Sequence, residues 1–261
     1  MNLGNKSMNT TILLSEQRCG TTYLSNIING MSGQVKSGYY ELFFKNFFIE
    51  NNLMHLVKCD LEKFDENFHY NLYDTSIQKW DKCYYDVSEN TINEVVNKCR
   101  SFVFKIQLFQ ILNKVNIVKK IKSPVLYLIR KNQWQRNLSM YCHENNLIST
   151  HITNKNTKKV DVKIDKDIVK KRCEYYNPII KSFQKELKNQ KNVKTIYYED
   201  IQNKEYWTDE FINELEDFMK VKFTDRNYIP PFKKTRNFVN IINEAEIMDD
   251  EMIKKYYIKE I

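Results

Sequence analysis

Four short, mostly apolar runs alternate with longer segments in which apolar residues recur every three or four positions, and this alternation constrains the fold most strongly. The runs are Thr11–Leu14, Phe102–Phe104, Val125–Ile129 and Val193–Tyr197. Continuous apolar runs of this length are typical of strands buried on both faces, as in a parallel sheet that helices cover. We therefore expect the four runs to form one parallel sheet.

The segments between the runs have the apolar spacing of amphipathic helices. The longest is Val169–Leu187, and shorter ones are Leu24–Ile28, Trp134–Tyr141 and Phe211–Phe218. Strands that alternate with helices predict an α/β fold with a central parallel β-sheet flanked by helices and joined by right-handed crossovers. No Pro-, Gly- or Ser-rich linker divides the 261 residues, so residues 1–261 are predicted to form a single domain.

Polar residues follow each of the four runs. Cations follow three of them, since Arg18, Lys105 and Arg130 come shortly after the first, second and third runs. Ligands of parallel α/β sheets bind beyond the carboxyl ends of the strands. These cations therefore predict a site for a phosphorylated ligand, with the alternative that strand ends are polar simply because they reach solvent.

Composition narrows the class of protein. The chain has 41 Lys and Arg residues against 33 Asp and Glu residues, a net charge of +8 that suits phosphorylated ligands or a solvated surface. No nucleic-acid-binding motif accompanies this charge, and the six cysteines have no metal-binding spacing. No apolar stretch approaches the roughly 18 residues that a membrane helix needs. We therefore expect a cytoplasmic protein without metal, nucleic-acid or membrane partners.

The segment Ser15–Tyr23 predicts an anion-binding loop between a strand and a helix. All five glycines of the chain lie at or before position 38, and Gly20 is one of them. Glycine lets a backbone approach a ligand closely, and the N–H groups of a helix that starts at Thr21 would favour an anion. A Walker A loop, GxxxxGK[ST], has an earlier glycine and a lysine that SEQRCGTT lacks, which disfavours a standard ATPase or GTPase.

Two strings resemble motifs of the sulfotransferases that use 3′-phosphoadenosine 5′-phosphosulfate (PAPS). Arg18–Tyr23, RCGTTY, resembles their phosphosulfate-binding core [KR]-x-G-[ST]-T-[WY]. Val125–Tyr141 resembles their 3′-phosphate motif, a strand that ends in Arg and leads to a helix carrying Ser. In many members this Ser is eight residues after the Arg, whereas here Ser139 is nine residues after Arg130 and eight after Lys131, which leaves open which cation meets the phosphate. The resemblance to members with two basic residues followed by Asn favours Arg130 over Lys131.

The resemblance implies a single P-loop-NTPase-like α/β domain and further donor-binding residues. Tyr23 matches the aromatic residue that stacks on adenine, with a core aromatic as the alternative. Tyr198, in the string TIYYEDI, would also lie near the adenine. The remaining donor-binding residues that the resemblance implies are Cys19, Gly20, Thr21 and Thr22 of the loop, and Lys234 and Arg236, whose alternative is a solvated basic turn.

Sulfuryl transfer needs cations for the departing phosphate and one base for the acceptor. The resemblance implies Arg18 and Lys105 as the cations. The cytosolic branch that acts on phenols and steroids has a His two residues after this lysine, where this chain has Gln107. The chain is closer to a bacterial, carbohydrate-type branch with a Glu in an aromatic stretch, which makes Glu41 the candidate base, with His151 as the alternative.

The predicted function is PAPS-dependent transfer of a sulfuryl group to a hydroxyl or amine of a carbohydrate or other small acceptor, without a metal. A P-loop-type nucleotide kinase with a degenerate loop is the alternative enzyme. A non-catalytic binding module for sulfated or phosphorylated ligands is the alternative outside enzymes.

Overall fold

A computed structural model describes residues 10–33, 93, 103–108, 115–145, 164–228 and 249–259 of the chain. Within these residues four strands form one sheet: β1 (Thr11–Ser15), β2 (Val103–Gln107), β3 (Val125–Ile129) and β4 (Val193–Tyr197). All of the pairings are parallel, and the strand order is β2-β1-β3-β4. The prediction of a central parallel sheet is confirmed.

The second strand does not have the predicted limits. It runs from Val103 to Gln107, because β2 pairs with β1 along its length and Gln107 lies opposite Ser15. Lys105 therefore lies within the strand, opposite Leu13, and does not follow the strand as its sequence position had suggested. Backbone pairing with β1 extends this strand beyond the apolar run, so that it includes the polar residues Lys105 and Gln107.

Helices occur where the apolar spacing predicts them. In chain order they are α1 (Thr21–Met31), α2 (Val115–Lys120), α3 (Gln133–Glu144), α4 (Lys166–Leu187), α5 (Tyr198–Ile201), α6 (Asp209–Met219) and α7 (Asp250–Lys255), with a 3-10 turn at Lys204–Tyr206. Side-chain oxygens of Asp165, Thr208 and Asp249 accept hydrogen bonds from the first turns of α4, α6 and α7. In the described part of the chain, no helix has the length and apolarity that a membrane span requires.

Helices cover both faces of the sheet. β1 and β3 are buried along their whole length. One hydrophobic cluster joins the sheet to α1 and α6, and its members include Leu13, Leu126, Leu128, Ile196, Leu24, Ile27 and Leu215. On the opposite face, the ring of Tyr127 packs against Phe183 of α4, with 6.5 Å between ring centroids. The described residues thus form an α/β arrangement of helix, sheet and helix layers.

The strand order places a crevice between β1 and β3. From β1 the chain continues to β2 on one side, and the next strand, β3, pairs on the other side of β1, with β4 beyond it. In open parallel sheets, ligands bind outside the carboxyl ends of two neighbouring strands whose connections lead in opposite directions. The loop after β1 and the segment from Arg130 to Asn132 after β3 lie at this point.

Glu216 holds the segment that follows α6, at the opposite end of α1 from the loop. Its carboxylate is 1% exposed and accepts hydrogen bonds from Lys222 Nζ at 2.9 Å, the Phe223 N–H at 2.8 Å and Arg226 Nε at 3.2 Å. The following residue in the segment, Thr224, donates its N–H to the carbonyl of Met31 at 2.7 Å. Burial opposes ionisation, but these hydrogen bonds prevail and lower the pKa of Glu216 to about 2.

We expect Glu216→Gln to lower the free energy of unfolding at neutral pH by about 1.5–3 kcal/mol, because hydrogen bonds to a charged acceptor are lost. A carboxylate whose pKa is depressed in the folded state stabilises above its unfolded pKa and loses this contribution as pH falls. The difference from the wild type should therefore shrink from pH 4.5 towards pH 2. Urea unfolding of the wild type and of Glu216→Gln at several pH values measures this difference in the free energy of unfolding. Glu210→Gln, at an exposed position of α6, should have little effect; a pH-independent deficit in Glu216→Gln would contradict the expectation.

Candidate functional site

The loop between β1 and α1 contains two residues with a left-handed backbone conformation. Gly20 precedes the first residue of α1, Thr21, and has a left-handed φ of 79°. Arg18 also has a positive φ, 64°, which is uncommon for a residue with a side chain and is found more often at functional sites. The first N–H groups of a helix lack partners within the helix and point towards the loop, where an anion can accept from them.

Gly20 is needed at its position for two reasons. Its φ of 79° is costly for any residue with a Cβ, and a Cβ added there would overlap the ring of Tyr198. Tyr198 begins α5 directly after β4, so the close approach of this ring brings the end of β4 to the loop after β1. The ring of Tyr198 thus packs directly against the loop, and its predicted position near an adenine stays a prediction.

We expect Gly20→Ala to lower the free energy of unfolding by more than the roughly 1–2 kcal/mol that a left-handed conformation alone costs a residue with a Cβ. Gly33→Ala is the matched control, because Gly33 has a φ of 73° and an added Cβ there meets only the hydroxyl of Thr224. Urea unfolding of both variants gives the comparison. Equal losses would mean that the Tyr198 ring moves aside without cost.

Arg18, Arg130, Ser139 and Tyr198 come together from four parts of the chain. Arg18 Nε donates to Ser139 Oγ at 3.1 Å, across to α3. Arg130 Nη1 donates to the carbonyl oxygen of Arg18 at 3.3 Å, and its guanidinium carbon lies 4.8 Å from the centroid of the Tyr198 ring. The structure therefore brings together residues that the sequence assigned to different phosphates.

Two guanidinium groups approach one another at this site without a described counter-ion. Burial lowers the pKa of Arg18, and the nearby charge of Arg130 lowers it further. Among the residues that the structure describes, no carboxylate forms an ion pair with Arg18 or Arg130, and Arg130 Nε is buried without an acceptor. An anion with several oxygens would neutralise the repulsion between these groups and could accept from this N–H.

Lys131 has different partners from Arg130. Its ammonium lies 3.4 Å from Asp200 Oδ1 and 4.3 Å from the centroid of the Tyr197 ring. Its backbone N–H donates to Glu199 at 2.9 Å. Lys131 is thus directed towards the end of β4, where Asp200 neutralises its charge, while Arg130 is directed towards the loop.

The other loop residues differ in what their side chains can reach. Cys19 is fully buried in the core, and burial raises the pKa of its thiol to about 12. It could therefore contact a ligand only through its backbone. Thr21 and Thr22 occupy the first turn of α1, and Thr22 is exposed. Tyr23 is half-buried against the same hydrophobic cluster as Tyr198, and burial raises the pKa of its phenol.

The roles of five residues that the sequence predicts for the site stay predictions. Lys105 is 3% exposed within β2, and its catalytic role stays a prediction. Glu41, His151, Lys234 and Arg236 lie outside the described residues.

Sequence reasoning missed a buried polar network behind the loop. Glu16 is 3% exposed and Arg136 is 2% exposed, and Arg136 Nη1 lies 3.1 Å from Glu16 Oε1. Gln133 Nε2 donates to Glu16 Oε2 at 3.1 Å. Gln133 and Arg136 are three residues apart on α3, and so share the face opposite the apolar residue Trp134. This polar face, together with a carboxylate directly after β1, was the available signal.

No model of a known protein family matches the chain, and no curated protein sequence matches it either.

Proposed function

We propose that this protein binds PAPS and transfers its sulfuryl group to a hydroxyl or amine of a carbohydrate or other small acceptor. The proposal rests on the close approach of Arg18, Arg130 and Ser139 beyond the carboxyl ends of β1 and β3. No described carboxylate neutralises the two guanidinium groups there. Such a cluster fits a ligand with two separate phosphate groups better than it fits a neutral ligand.

The loop and the start of α1 supply the donors for the 5′-phosphosulfate. Gly20, Thr21 and Thr22 lie at the positive end of the α1 dipole, where their N–H groups and the hydroxyls of the two threonines can donate to an anion. Arg18 adds a full positive charge next to them. In this proposal the loop takes the role of a P-loop, with Arg18 in place of the Walker lysine.

Arg130 and Ser139 supply the contacts to the 3′-phosphate. The buried Nε of Arg130 has no described acceptor, and a phosphate oxygen in this position would satisfy it. Lys131 is the less suitable cation because it is paired with Asp200. Tyr23 and Tyr198 lie beside the loop and could contact the adenine.

PAPS supplies an activated sulfuryl group whose bridging S–O bond breaks as the acceptor oxygen or nitrogen bonds to sulfur. Arg18 and the loop N–H groups stabilise the negative charge that grows on the departing phosphate oxygen. Lys105 is the second proposed cation. Glu41 is the proposed base that takes the proton of the acceptor.

Thermal denaturation with nucleotides tests the proposal. A ligand at 100 times its dissociation constant stabilises the folded state by about 2.7 kcal/mol. We expect 3′-phosphoadenosine 5′-phosphate (PAP) to raise the Tm, and ATP with Mg²⁺ to raise it far less. Transfer is then measured with radiolabelled PAPS and a panel of hydroxylated and amino acceptors.

Each alternative predicts a different result in this experiment. Stabilisation by ATP with Mg²⁺ but not by PAP would contradict the proposal in favour of a kinase. Stabilisation by PAP without transfer to any acceptor of the panel would favour a binding module.

A further inference from the structure

The loop after β1 is joined to α3 by a buried ion pair that itself lies behind the anion site. Glu16 and Arg136 are 3% and 2% exposed, and Arg136 Nη1 lies 3.1 Å from Glu16 Oε1. Removing two charges from water is costly, and buried pairs can often be replaced by apolar residues without loss of stability. The presence of this pair therefore suggests a role other than stabilising the fold.

The contacts of the pair converge on the loop backbone. Arg136 Nε donates to the carbonyl oxygen of Gln17 at 3.1 Å, directly before Arg18. The planar guanidinium also approaches Glu16, and its carbon lies 4.6 Å from the centroid of the Tyr176 ring on α4. With a carboxylate on one edge and an aromatic ring close by, the guanidinium is held in one orientation, and so is the Gln17 carbonyl that it binds.

The same network reaches the end of β3. Gln133 Nε2 donates both to Glu16 Oε2 at 3.1 Å and to the carbonyl oxygen of Arg130 at 2.7 Å. The backbone next to Arg18 and the backbone of Arg130 are therefore connected through Glu16, Gln133 and Arg136. A change at this network should alter the distance between the two guanidinium groups of the anion site.

We propose that the Glu16–Arg136 pair positions Arg18 and Arg130 for anion binding by holding the backbone of the loop that follows β1. Glu16 and Arg136 are positioning residues, since both are buried behind the loop. Arg136 fixes the peptide that precedes Arg18, whose φ of 64° needs support from its surroundings. The identity of the ligand in this proposal rests on the proposed function, whereas the contacts that hold the loop do not depend on it.

The test compares Glu16→Gln, Arg136→Met and the double variant, with purified full-length protein. Each single variant removes one charge of the buried pair and leaves the other, and should lower the Tm clearly. The double variant removes both charges of the pair and should recover most of the Tm. Its dissociation constant for PAP should nevertheless rise on the order of 10- to 100-fold, because small displacements of binding groups are costly.

Hydrogen exchange, together with a control variant, distinguishes a positioning role of the pair from an effect on stability alone. Hydrogen exchange of the backbone amides of residues 16–23 should be about ten-fold faster or more in the double variant than in the wild type, although their Tm values are similar. Glu216→Gln is the matched control, because it removes a buried, ion-paired carboxylate at the other end of α1. It should lower the Tm without changing either PAP binding or loop exchange.

Wild-type PAP affinity and unchanged loop exchange in the double variant would overturn the proposal and leave the pair a purely structural role. If the double variant does not fold, Arg136→Lys gives the same comparison, because lysine keeps the charge but cannot reach Glu16 and the Gln17 carbonyl together. If the wild type itself does not bind PAP, the proposed function fails, and the exchange of the loop amides still decides whether the pair positions the loop.

Discussion

Replacing Arg18 with alanine is expected to lower the rate of sulfuryl transfer at saturating PAPS by on the order of 10²- to 10³-fold, because one donor to the charge that develops in the transition state is lost. Arg18 is the loop cation nearest the start of α1, and its side chain lies within 3.1 Å of Ser139. The fold should change little. Alanine at a φ of 64° meets the same backbone cost as arginine, and the lost hydrogen bond is worth about 1 kcal/mol.

Two control variants make this result interpretable. Arg18→Lys keeps a positive charge in the loop and should retain more activity than Arg18→Ala, although it cannot donate in the planar geometry of a guanidinium. Lys181→Ala removes one charge from an exposed position of α4 and should leave the rate unchanged. The measurements are kcat and KM for PAPS together with the Tm. A near-normal kcat for Arg18→Ala would remove Arg18 from the proposed mechanism.

The course of the chain around the loop was predictable because local signals determine it. The apolar run that ends at Leu14, the glycine at position 20 and the threonines after it predict a strand, a tight turn and a helix start, and α1 begins at Thr21. The limits of β2 were not predictable in this way. Its last two residues, Ile106 and the polar Gln107, belong to the sheet because they pair with Leu14 and Ser15 of β1.

The contacts within the site depend on the strand order, which no local pattern contains. Arg18 and Ser139 are 121 positions apart and meet only because β1 and β3 are neighbours in the sheet. The burial of Glu16 is likewise not evident from its position, since charged residues are rarely buried unless they are paired. Its partner, Arg136, lies in a helix whose polar face could as well have been turned to solvent.

Arg130 and Lys131 are adjacent in sequence, but the structure predicts a large loss of affinity on removal of Arg130 and a small change on removal of Lys131. Arg130 is directed towards Arg18 and has a buried Nε without a described acceptor, whereas Lys131 is paired with Asp200. We expect Arg130→Ala to weaken PAP binding by about 1.5–3 kcal/mol, which is the range for hydrogen bonds to a charged group. Lys131→Ala should change this affinity by less than about 1 kcal/mol, since it removes a cation whose charge is already neutralised.

A ligand that lacks the 3′-phosphate identifies the group that Arg130 contacts. Adenosine 5′-phosphate differs from PAP only in lacking the 3′-phosphate, so its affinity should be nearly the same for the wild type and for Arg130→Ala. Titration calorimetry of both ligands with both variants gives a double-mutant cycle between the side chain and the phosphate. If Arg130→Ala weakens the two ligands equally, Arg130 acts through the carbonyl of Arg18, which it binds at 3.3 Å, and not through the 3′-phosphate. If only Lys131→Ala discriminates between the ligands, Lys131 contacts the 3′-phosphate, in agreement with its eight-residue spacing to Ser139. The guanidinium of Arg130 then contacts the 5′ group of the ligand together with Arg18.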